Sequence, residues 1–567
     1  MEHSNMKSKK AASFIIVAAI FFIVIFTGIS LISKFAGGTT GNKIESKEEA
    51  KKQLDKLLDR IEISEVDPIR GQVEFGTTSL ADELPDISKY PYTVIGNGTI
   101  NVEIISSPEK AGEGTDGWMN EMAEEFNRAG YTYDGKTVSV SIRNITSGLA
   151  MDYIVSGKYI PEGFSPSASM WGEMTIAQGN KLEVITDRTV GNVAGILLKK
   201  NKIKSLEEKY QTVDMKTVTQ AVADGELLMG YTNPLASSTG LNFLLCTLYA
   251  YDHENVLSDT AINGFTTFQQ NIPYVAYNTM QMRESASSGS LEGMILEYQT
   301  YVNSDLQSTY DFIPFGIRHD NPLYATDSAT QSEKEVLKMF ADFCASDSGK
   351  KLADEYGFNG LDSYVSELPD YNGTTIVNAQ KLWKENKDHG KEIVAVFVAD
   401  VSGSMSGDPL SQLKDALVIS SQYINENNSI GLVSYSSDVY INLPIDKFDL
   451  NHRSYFVGAV DSLMANGNTA SYDALLVAVD MIQKELENNP NATPMIFLLS
   501  DGETNVGNSL KSCIPILQFY SIPVYTIGYN ANIEALEEIS GINEAVSINA
   551  DSDDVIYKIK SLFNAQM

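Results

Sequence analysis

The chain has 567 residues, of which 43% are hydrophobic, so it is too long for one ordinary core and too apolar for wholesale disorder. We therefore expect two or three domains. The 42 Lys and Arg residues against 74 Asp and Glu residues give a formal net charge of −32. This charge argues against nucleic-acid binding, because phosphate contacts need clustered cationic side chains. The three cysteines form no CxxC pair and no Cys/His cluster, which argues against structural zinc.

The N-terminal segment is basic and then strongly apolar. Residues 1–10 contain three lysines, and residues 11–33 contain no charged side chain. About 20 apolar residues suffice to cross a bilayer, and lysines before such a segment place the N-terminus in the cytoplasm. We therefore predict an uncleaved transmembrane signal anchor at 11–33 in a single-pass cell-membrane protein whose bulk is extracellular. A cleaved signal peptide is the alternative, although residues 33–36 make a poor cleavage site.

Residues 34–93 are predicted to be a linker and stalk. A small-residue stretch is followed by a charged helix over 44–61, whose leucines and isoleucine share one stripe. We interpret this helix as a solvated spacer. The irregular stretch that follows, over 64–92, contains three prolines and is interpreted as a connector.

Residues 94–388 alternate strand and helix patterns. Strands are predicted over 100–105 and 137–142, and each ends at a polar loop. Further strands are predicted over 193–198 and 227–231. This order is typical of a parallel sheet with polar loops at its carboxyl edge.

Three stretches of this region resemble extracellular solute-binding proteins of ABC importers. They are the strand into Ser106-Ser107 with its following helix, the Asn233-to-Gly240 turn that opens a helix, and a terminal helix pair over 333–358. The resemblance implies two α/β lobes around a ligand cleft.

Four hydroxyl residues would then line the cleft, where helix N-termini favour a small anionic or carboxylate ligand. They are Ser107, Ser147, Ser238 and Thr239. Each could instead be an N-cap or turn residue.

Residues 391–567 alternate more regularly, as a doubly wound, Rossmann-like α/β domain does. Strands are predicted over 393–399, 430–435, 495–500 and 523–529. Helices are predicted over 409–424, 471–486, 510–519 and 551–563.

Three polar loops lie at strand–helix junctions of this region. Asp400-Val-Ser-Gly-Ser-Met405 and Ser500-to-Asn505 each end an apolar strand, and Asn466-to-Ala474 opens a helix. One carboxylate and two hydroxyls at alternate positions suit a hard, oxygen-seeking divalent cation. In order and spacing the three motifs resemble the von Willebrand factor type A domain and its metal-ion-dependent adhesion site. The alternative is that the first motif merely caps the following helix.

The resemblance implies five metal-site residues and their roles. Ser402 and Ser404 would coordinate the metal directly, Thr469 directly or through water, and Asp400 and Asp501 mostly through water. The cation would be Mg²⁺, or Mn²⁺ or Ca²⁺, and a carboxylate of a protein partner would complete its coordination.

Enzymatic readings find little support. The chain has no Walker A motif and no nucleophile elbow, and none of its five histidines lies in a recognisable catalytic setting. We therefore predict that the protein is not an enzyme but a membrane-anchored extracellular adhesion protein with a solute-binding-like module. The alternatives are a small-ligand sensor or transporter accessory, and a metal-chelatase accessory.

Overall fold

The structure is a computed structural model of the chain. It describes residues 44–566 apart from short gaps at 45, 74–78, 273, 277–278, 280, 284–290, 367, 388–390, 503, 530–532, 543–544, 546 and 551–553.

The strands are, in chain order, β1 Ile63–Glu65, β2 Tyr92–Val94, β3 Ile100–Ser106, β4 Thr132–Tyr133, β5 Lys136–Asn144, β6 Gly163–Ser165, β7 Leu182–Thr186, β8 Asn192–Lys199, β9 Gly230–Thr232, β10 Tyr274–Ala276, β11 Gly293–Glu297, β12 Tyr310–His319, β13 Leu323–Thr326, β14 Ile393–Asp400, β15 Ser429–Tyr435, β16 Val439–Lys447, β17 Thr493–Ser500, β18 Val524–Tyr529 and β19 Ser547–Ala550.

The α-helices are α1 Lys47–Leu58, α2 Leu80–Glu83, α3 Pro108–Ala111, α4 Trp118–Ala129, α5 Ser147–Ser156, α6 Ser169–Ala177, α7 Lys200–Tyr210, α8 Met215–Ala223, α9 Ser238–Tyr251, α10 Asp259–Gln269, α11 Tyr298–Val302, α12 Gln331–Cys344, α13 Asp347–Glu355, α14 Gly373–Asn386, α15 Asp408–Ser420, α16 Leu450–Asp461, α17 Ser471–Asn488, α18 Leu510–Tyr520, α19 Ile533–Gly541 and α20 Val555–Gln566.

The N-terminal unit contains two principal sheets. The first has the strand order β2-β5-β3-β6-β13-β7, in which β3 runs parallel to both β5 and β6. The second has the order β11-β8-β12 and is antiparallel, and a bridge from Met229 to Gly293 adds the β9–β10 pair. The chain passes from one sheet to the other after β7 and returns after β12, so two lobes share two crossing segments. The two lobes expected from the sequence are present, but among the described strands of the first sheet the predicted parallel order is found only around β3. The β2, β7 and β13 strands pair antiparallel, and the strand predicted over 193–198 lies in the antiparallel sheet.

The C-terminal unit is built on one mixed sheet with the order β1-β16-β15-β14-β17-β18-β19. Its central strand, β14, is parallel to both neighbours and is buried along its whole length. This burial follows from helices on both faces, which is why the strand has a continuous apolar sequence. The doubly wound arrangement predicted for this region is confirmed, whereas β16, β19, α16 and α19 were not predicted.

Two faces of this sheet carry separate cores. One core packs against α15, α16 and α20, and it centres on Phe397, which contacts Phe456, Phe497 and Phe563. The other core packs against α17, α18, α19 and α1. Because both faces are filled, the exposed carboxyl edge of the sheet is the place where its polar loops can meet a ligand.

The segment predicted as a linker and stalk belongs in part to the C-terminal unit. Ala50 and Leu54 of α1 are buried in the core beneath α17, and β1 pairs with β16 at the edge of the sheet. The interpretation of this helix as a solvated spacer therefore does not match the structure, because its apolar stripe packs against the domain. The boundaries predicted at 94, 388 and 391 stay predictions.

The predicted membrane anchor at 11–33 lies outside the described residues. No helix in the part of the chain that the structure describes is long and apolar enough to cross a membrane. The longest of these helices, α17, has 18 residues and carries five charged side chains, which a bilayer core does not favour. The prediction of a single-pass membrane protein with an extracellular bulk is thus corrected and is not carried further.

The two units meet along α20. Glu83 of α2 is buried and accepts hydrogen bonds from Tyr423 Oη and Lys560 Nζ. Gln566 Nε2 donates to the Val275 carbonyl across the same boundary at 3.3 Å. One side of α20 therefore fills a core of the C-terminal unit while the other contacts the N-terminal unit.

Candidate functional site

Three loops converge at the carboxyl edge of the C-terminal sheet. The first follows β14, the second precedes α17, and the third follows β17. Backbone hydrogen bonds join the first two: Gly403 N donates to Gly467 O at 3.1 Å, and Asn466 N donates to Val401 O at 2.8 Å. The side chains predicted to hold a metal are thus carried on loops that are fixed to one another.

Asp400 is buried and held by three donors. Its Oδ1 accepts from Ser402 N at 2.8 Å, and its Oδ2 accepts from Ser500 Oγ at 2.6 Å and from Tyr435 Oη at 3.2 Å. Burial, reinforced by the Asp400 charge, raises the pKa of Tyr435, which therefore stays a donor. The carboxylate has one fixed orientation in this network.

The hydrogen-bond partners of Asp400 were not predicted from the sequence. Tyr435 ends β15, Ser500 ends β17, and Ser471 opens α17 and donates from its Oγ to Tyr435 Oη at 3.1 Å. Both strands neighbour β14, so the signal was a polar residue at the end of each adjacent strand. A linear motif does not show this signal, because it depends on the strand order.

Ser402, Ser404 and Asp501 form a chain of oxygens. Ser402 Oγ lies 3.0 Å from Ser404 Oγ, and Ser404 Oγ donates to Asp501 Oδ1 at 3.0 Å. Burial raises the pKa of Asp501, the Ser404 hydrogen bond opposes the rise, and the charge of Asp400 adds to it. A cation placed among these oxygens would relieve the repulsion between the two carboxylates.

Thr469 is held in place through its backbone. Its N–H donates to Asn505 Oδ1 at 2.9 Å, and its carbonyl accepts from Asn505 N at 2.9 Å. Its side chain is largely buried beside the other loops. Asn505 therefore fixes the position of Thr469, although the sequence analysis gave this asparagine no role.

Two of the five predicted residues, Ser402 and Ser404, place their hydroxyl oxygens at the spacing of cation ligands. Two hydroxyl oxygens 3.0 Å apart have the spacing of adjacent ligands in an octahedron with bonds of about 2.1 Å, as Mg²⁺ prefers. Within the described ranges, no group of three or more His, Cys, Asp or Glu side chains could hold a metal ion, at this edge or elsewhere. A metal at this edge would thus depend on hydroxyls as much as on carboxylates.

Two of the predicted cleft residues come together between the lobes. Ser147 and Ser238 are buried, and their Oγ atoms lie 3.5 and 2.5 Å from Ser167 Oγ. Trp171 Nε1 also donates to Ser238 Oγ at 2.7 Å. A Cβ atom on Gly148 would lie 2.6 Å from Leu235 O, so the two lobes are in close contact here.

The other two predicted cleft residues are bound to charged side chains. Ser107 Oγ accepts from Lys110 Nζ at 3.1 Å, and Thr239 Oγ1 donates to Glu297 Oε1 at 3.2 Å. Both residues are buried. Helix α9 is capped by the Ser237 side chain and not by Ser238 or Thr239, whereas Ser107 occupies the N-cap position of α3 without a side-chain cap hydrogen bond.

A buried charged cluster lies beside these hydroxyls and was not predicted. Lys110 is fully buried and donates to the carbonyls of Ser165 and Pro166. Burial lowers the pKa of Lys110 and raises the pKa of Glu109. Glu297 accepts from His319 Nδ1 at 2.9 Å.

The sequence contains one signal for this cluster, which is the Glu109-Lys110 pair that follows the polar strand end at Ser106-Ser107 after one proline.

Comparison with known proteins places the C-terminal unit in a family. Residues 395–564 match the model of the von Willebrand factor type A domain. Inter-alpha-trypsin inhibitor heavy chain H3 of Bos taurus is 31% identical over 173 residues, which cover 28% of this chain and 19% of that protein. The von Willebrand factor A domain-containing protein DDB_G0292028 of Dictyostelium discoideum is 27% identical over 176 residues, which cover 30% of this chain and 18% of that protein.

These matches span less than a fifth of the relatives' own length. Among solved structures, a periplasmic thiamin binding protein is 8% identical with a TM-score of 0.39, and the match covers 52% of this chain and 99% of that one. The chain as a whole is mixed α/β, and its residues 395–564 form a von Willebrand factor type A domain.

Proposed function

We propose that the C-terminal domain binds another protein, as an adhesion module does, through a divalent cation held by Asp400, Ser402, Ser404, Thr469 and Asp501. Mg²⁺ is the expected ion, with Mn²⁺ or Ca²⁺ as alternatives. The observation that carries this proposal is the run of oxygens from Ser402 through Ser404 to Asp501, at successive distances of 3.0 Å.

The residues of the site differ in whether their oxygens already accept hydrogen bonds from the protein. Both oxygens of Asp400 accept hydrogen bonds from the protein, so this carboxylate is suited to orienting the loop and to holding a metal-bound water. The serine hydroxyls are suited to direct contact. Neutral hydroxyl ligands would leave a bound cation strongly electrophilic and ready to accept a carboxylate oxygen from a partner.

Binding suits this site better than catalysis does. A general base needs a free acceptor within reach of a substrate proton, whereas Asp400 is buried and already accepts from three donors of the protein. The exposed Ser404 lies beside a carboxylate, not beside a histidine. We therefore propose that the protein is not an enzyme.

Thermal unfolding of the full-length chain tests the metal claim. After EDTA treatment, Mg²⁺ at about 100 times its Kd is expected to stabilise the protein by roughly 2.7 kcal/mol. Ser404→Ala removes one proposed ligand and is expected to lose most of this stabilisation. Ser406→Ala, at an exposed serine two residues away, is the matched control and should keep it. An unchanged Mg²⁺ response in Ser404→Ala would contradict the assignment.

A second candidate function is a small-ligand sensor or transporter accessory acting through the inter-lobe cleft. Within the described ranges, Ser106 Oγ and Glu109 Oε2 are buried there and have no hydrogen-bond partner. A polar ligand that reached these atoms would satisfy them. The test is thermal unfolding in the presence of sulfate or acetate. Stabilisation by either, independent of Mg²⁺, would favour this candidate, and no shift with either would count against it.

A further inference from the structure

A cavity of about 480 Å³ opens beside the proposed metal site. Its wall is the loop that follows β17, together with the first turn of α18, the start of α17 and one residue of α19. The residues that line it are Tyr472, Thr504, Asn505, Val506, Gly507, Asn508, Ser509, Leu510, Lys511, Ile514 and Glu538. Its volume lies in the range of about 300–1,000 Å³ that is typical of ligand pockets.

The wall of this cavity is fixed to the metal loop. Asn505 lines the cavity and makes two of the hydrogen bonds that hold the Thr469 backbone, and Val506 N, also in the lining, donates to Thr469 O at 3.3 Å. Asn508 donates from its N and Nδ2 atoms to Asp473 Oδ1 at 2.8 and 2.7 Å. Cavity wall and metal loop thus form one hydrogen-bonded structure.

Gly507 makes the wall close-packed. Its φ is +85°, and a Cβ atom there would lie 2.2 Å from Asp473 Oδ2. Only glycine permits this conformation and this approach without strain. The loop that follows β17 therefore packs directly against the first turn of α17 at this position.

The lining of the cavity is mixed: four of its eleven residues are aliphatic or aromatic, and its exposed residues include one cation and one carboxylate. Tyr472, Val506, Leu510 and Ile514 are half-buried, so each presents apolar surface to the cavity. Lys511 and Glu538 are both exposed and their charges offset each other, so the proposed cation is the feature that would attract a carboxylate. An occupant with a carboxylate next to a bulky apolar group complements both features.

We propose that this cavity holds a bulky apolar side chain of a protein partner, adjacent to the Asp or Glu whose carboxylate binds the metal. The inference rests on the proposed function and adds the partner's local sequence: an acidic residue beside a large aliphatic or aromatic one. Burying such a side chain is expected to tighten binding roughly ten- to hundredfold. The metal gives the interaction its strength, and the cavity gives it its specificity.

Selection from a random seven-residue phage-displayed peptide library with a fixed central Asp, on the full-length chain in Mg²⁺, tests this inference. Enriched peptides should share one large apolar residue at a constant spacing from the Asp. Fluorescence polarisation should show at least a tenfold loss when that residue is changed to Ala. Ile514→Arg in the protein should cause the same loss without changing the Mg²⁺-induced thermal shift.

Gln518→Arg is the matched control, because it adds the same charge four residues further along α18, at an exposed position outside the cavity lining. Metal-dependent peptides without an apolar neighbour, or peptides that bind Ile514→Arg equally well, would overturn the inference and leave the proposed function standing. A selection with no Mg²⁺-dependent peptide, or a chain that does not bind Mg²⁺, would overturn both. If the wild type is a dimer and Ile514→Arg is a monomer, the occupant of the cavity is a second copy of this chain, and the inference is overturned.

Discussion

The metal edge of the C-terminal domain and the inter-lobe region of the N-terminal unit use the same chemistry with opposite access. Both place serine hydroxyls and carboxylates just after the ends of parallel strands. At the metal edge Ser404 is exposed, and Asn505, which holds the Thr469 backbone, lines an open cavity. Between the lobes Ser107 and Ser238 are buried and bonded to Lys110 and Trp171. A strand-end position therefore indicates a binding site only where the polar groups remain accessible.

The largest expected effect is at Asp400. Asp400→Ala leaves the Tyr435 and Ser500 hydroxyls without their buried acceptor, so we expect a loss of about 3 kcal/mol in the free energy of unfolding. The Mg²⁺-induced thermal shift should also disappear. Urea unfolding with and without Mg²⁺ measures both effects. Asp408→Ala, at an exposed aspartate nearby, should keep the shift. An Mg²⁺-induced thermal shift in Asp400→Ala as large as that of the wild type would contradict the contrast drawn between the metal edge and the inter-lobe region.

The next effect separates stability from metal binding. Lys110→Met removes a buried ammonium group that donates hydrogen bonds to three oxygen atoms. We expect a loss of about 2 kcal/mol in the free energy of unfolding. The Mg²⁺-induced shift should be unchanged. Lys204→Met, at an exposed lysine, should change neither quantity. A reduced Mg²⁺ response in Lys110→Met would mean that the two regions are not independent.

A smaller effect depends on pH and involves Asp152 of α5. Burial raises the pKa of Asp152 to about 7, although the charge of Lys560 opposes the rise. Because the folded chain then holds a proton that the unfolded chain releases near pH 4, this residue lowers stability as pH rises from about 4 to 7.

Asp152→Asn should therefore be more stable than the wild type at pH 8 by about 1 kcal/mol, a figure kept small because the side chain is partly exposed. The two proteins should differ less at pH 4. Urea unfolding at both values measures the difference, with Asp187→Asn as an exposed control. If the free energies of unfolding of the wild type and Asp152→Asn differed by the same amount at pH 4 and pH 8, this interpretation would be contradicted.

The sequence predicted the parts of the fold that local pattern determines. The apolar run that ends at Asp400 is β14, and the predicted strands and helices of the C-terminal unit lie within a few residues of the observed ones. Ser402, Ser404 and Asp501 were predicted as neighbours, and the structure brings them together. Motifs at strand ends suffice here because parallel strands bring their carboxyl ends to one edge.

The features that were missed depend on contacts between distant parts of the chain. Tyr435 and Ser500 bind Asp400 because of the strand order, which the sequence does not contain in any one segment. The α1 helix resembled a spacer because its charges dominate its pattern, while Ala50 and Leu54 are enough to dock it on the domain. The cleft residues were predicted as ligand-binding, but Ser167 and Trp171 had not been recognised as their partners.

The central claim is that one divalent cation binds at the edge formed by Asp400, Ser402, Ser404, Thr469 and Asp501. Isothermal titration calorimetry of the EDTA-treated full-length chain with Mg²⁺ tests it most directly. We expect one site per chain in the wild type and none in Ser404→Ala, with Ser406→Ala behaving as the wild type does. The absence of any Mg²⁺, Mn²⁺ or Ca²⁺ binding by the wild type, or undiminished binding by Ser404→Ala, would contradict it.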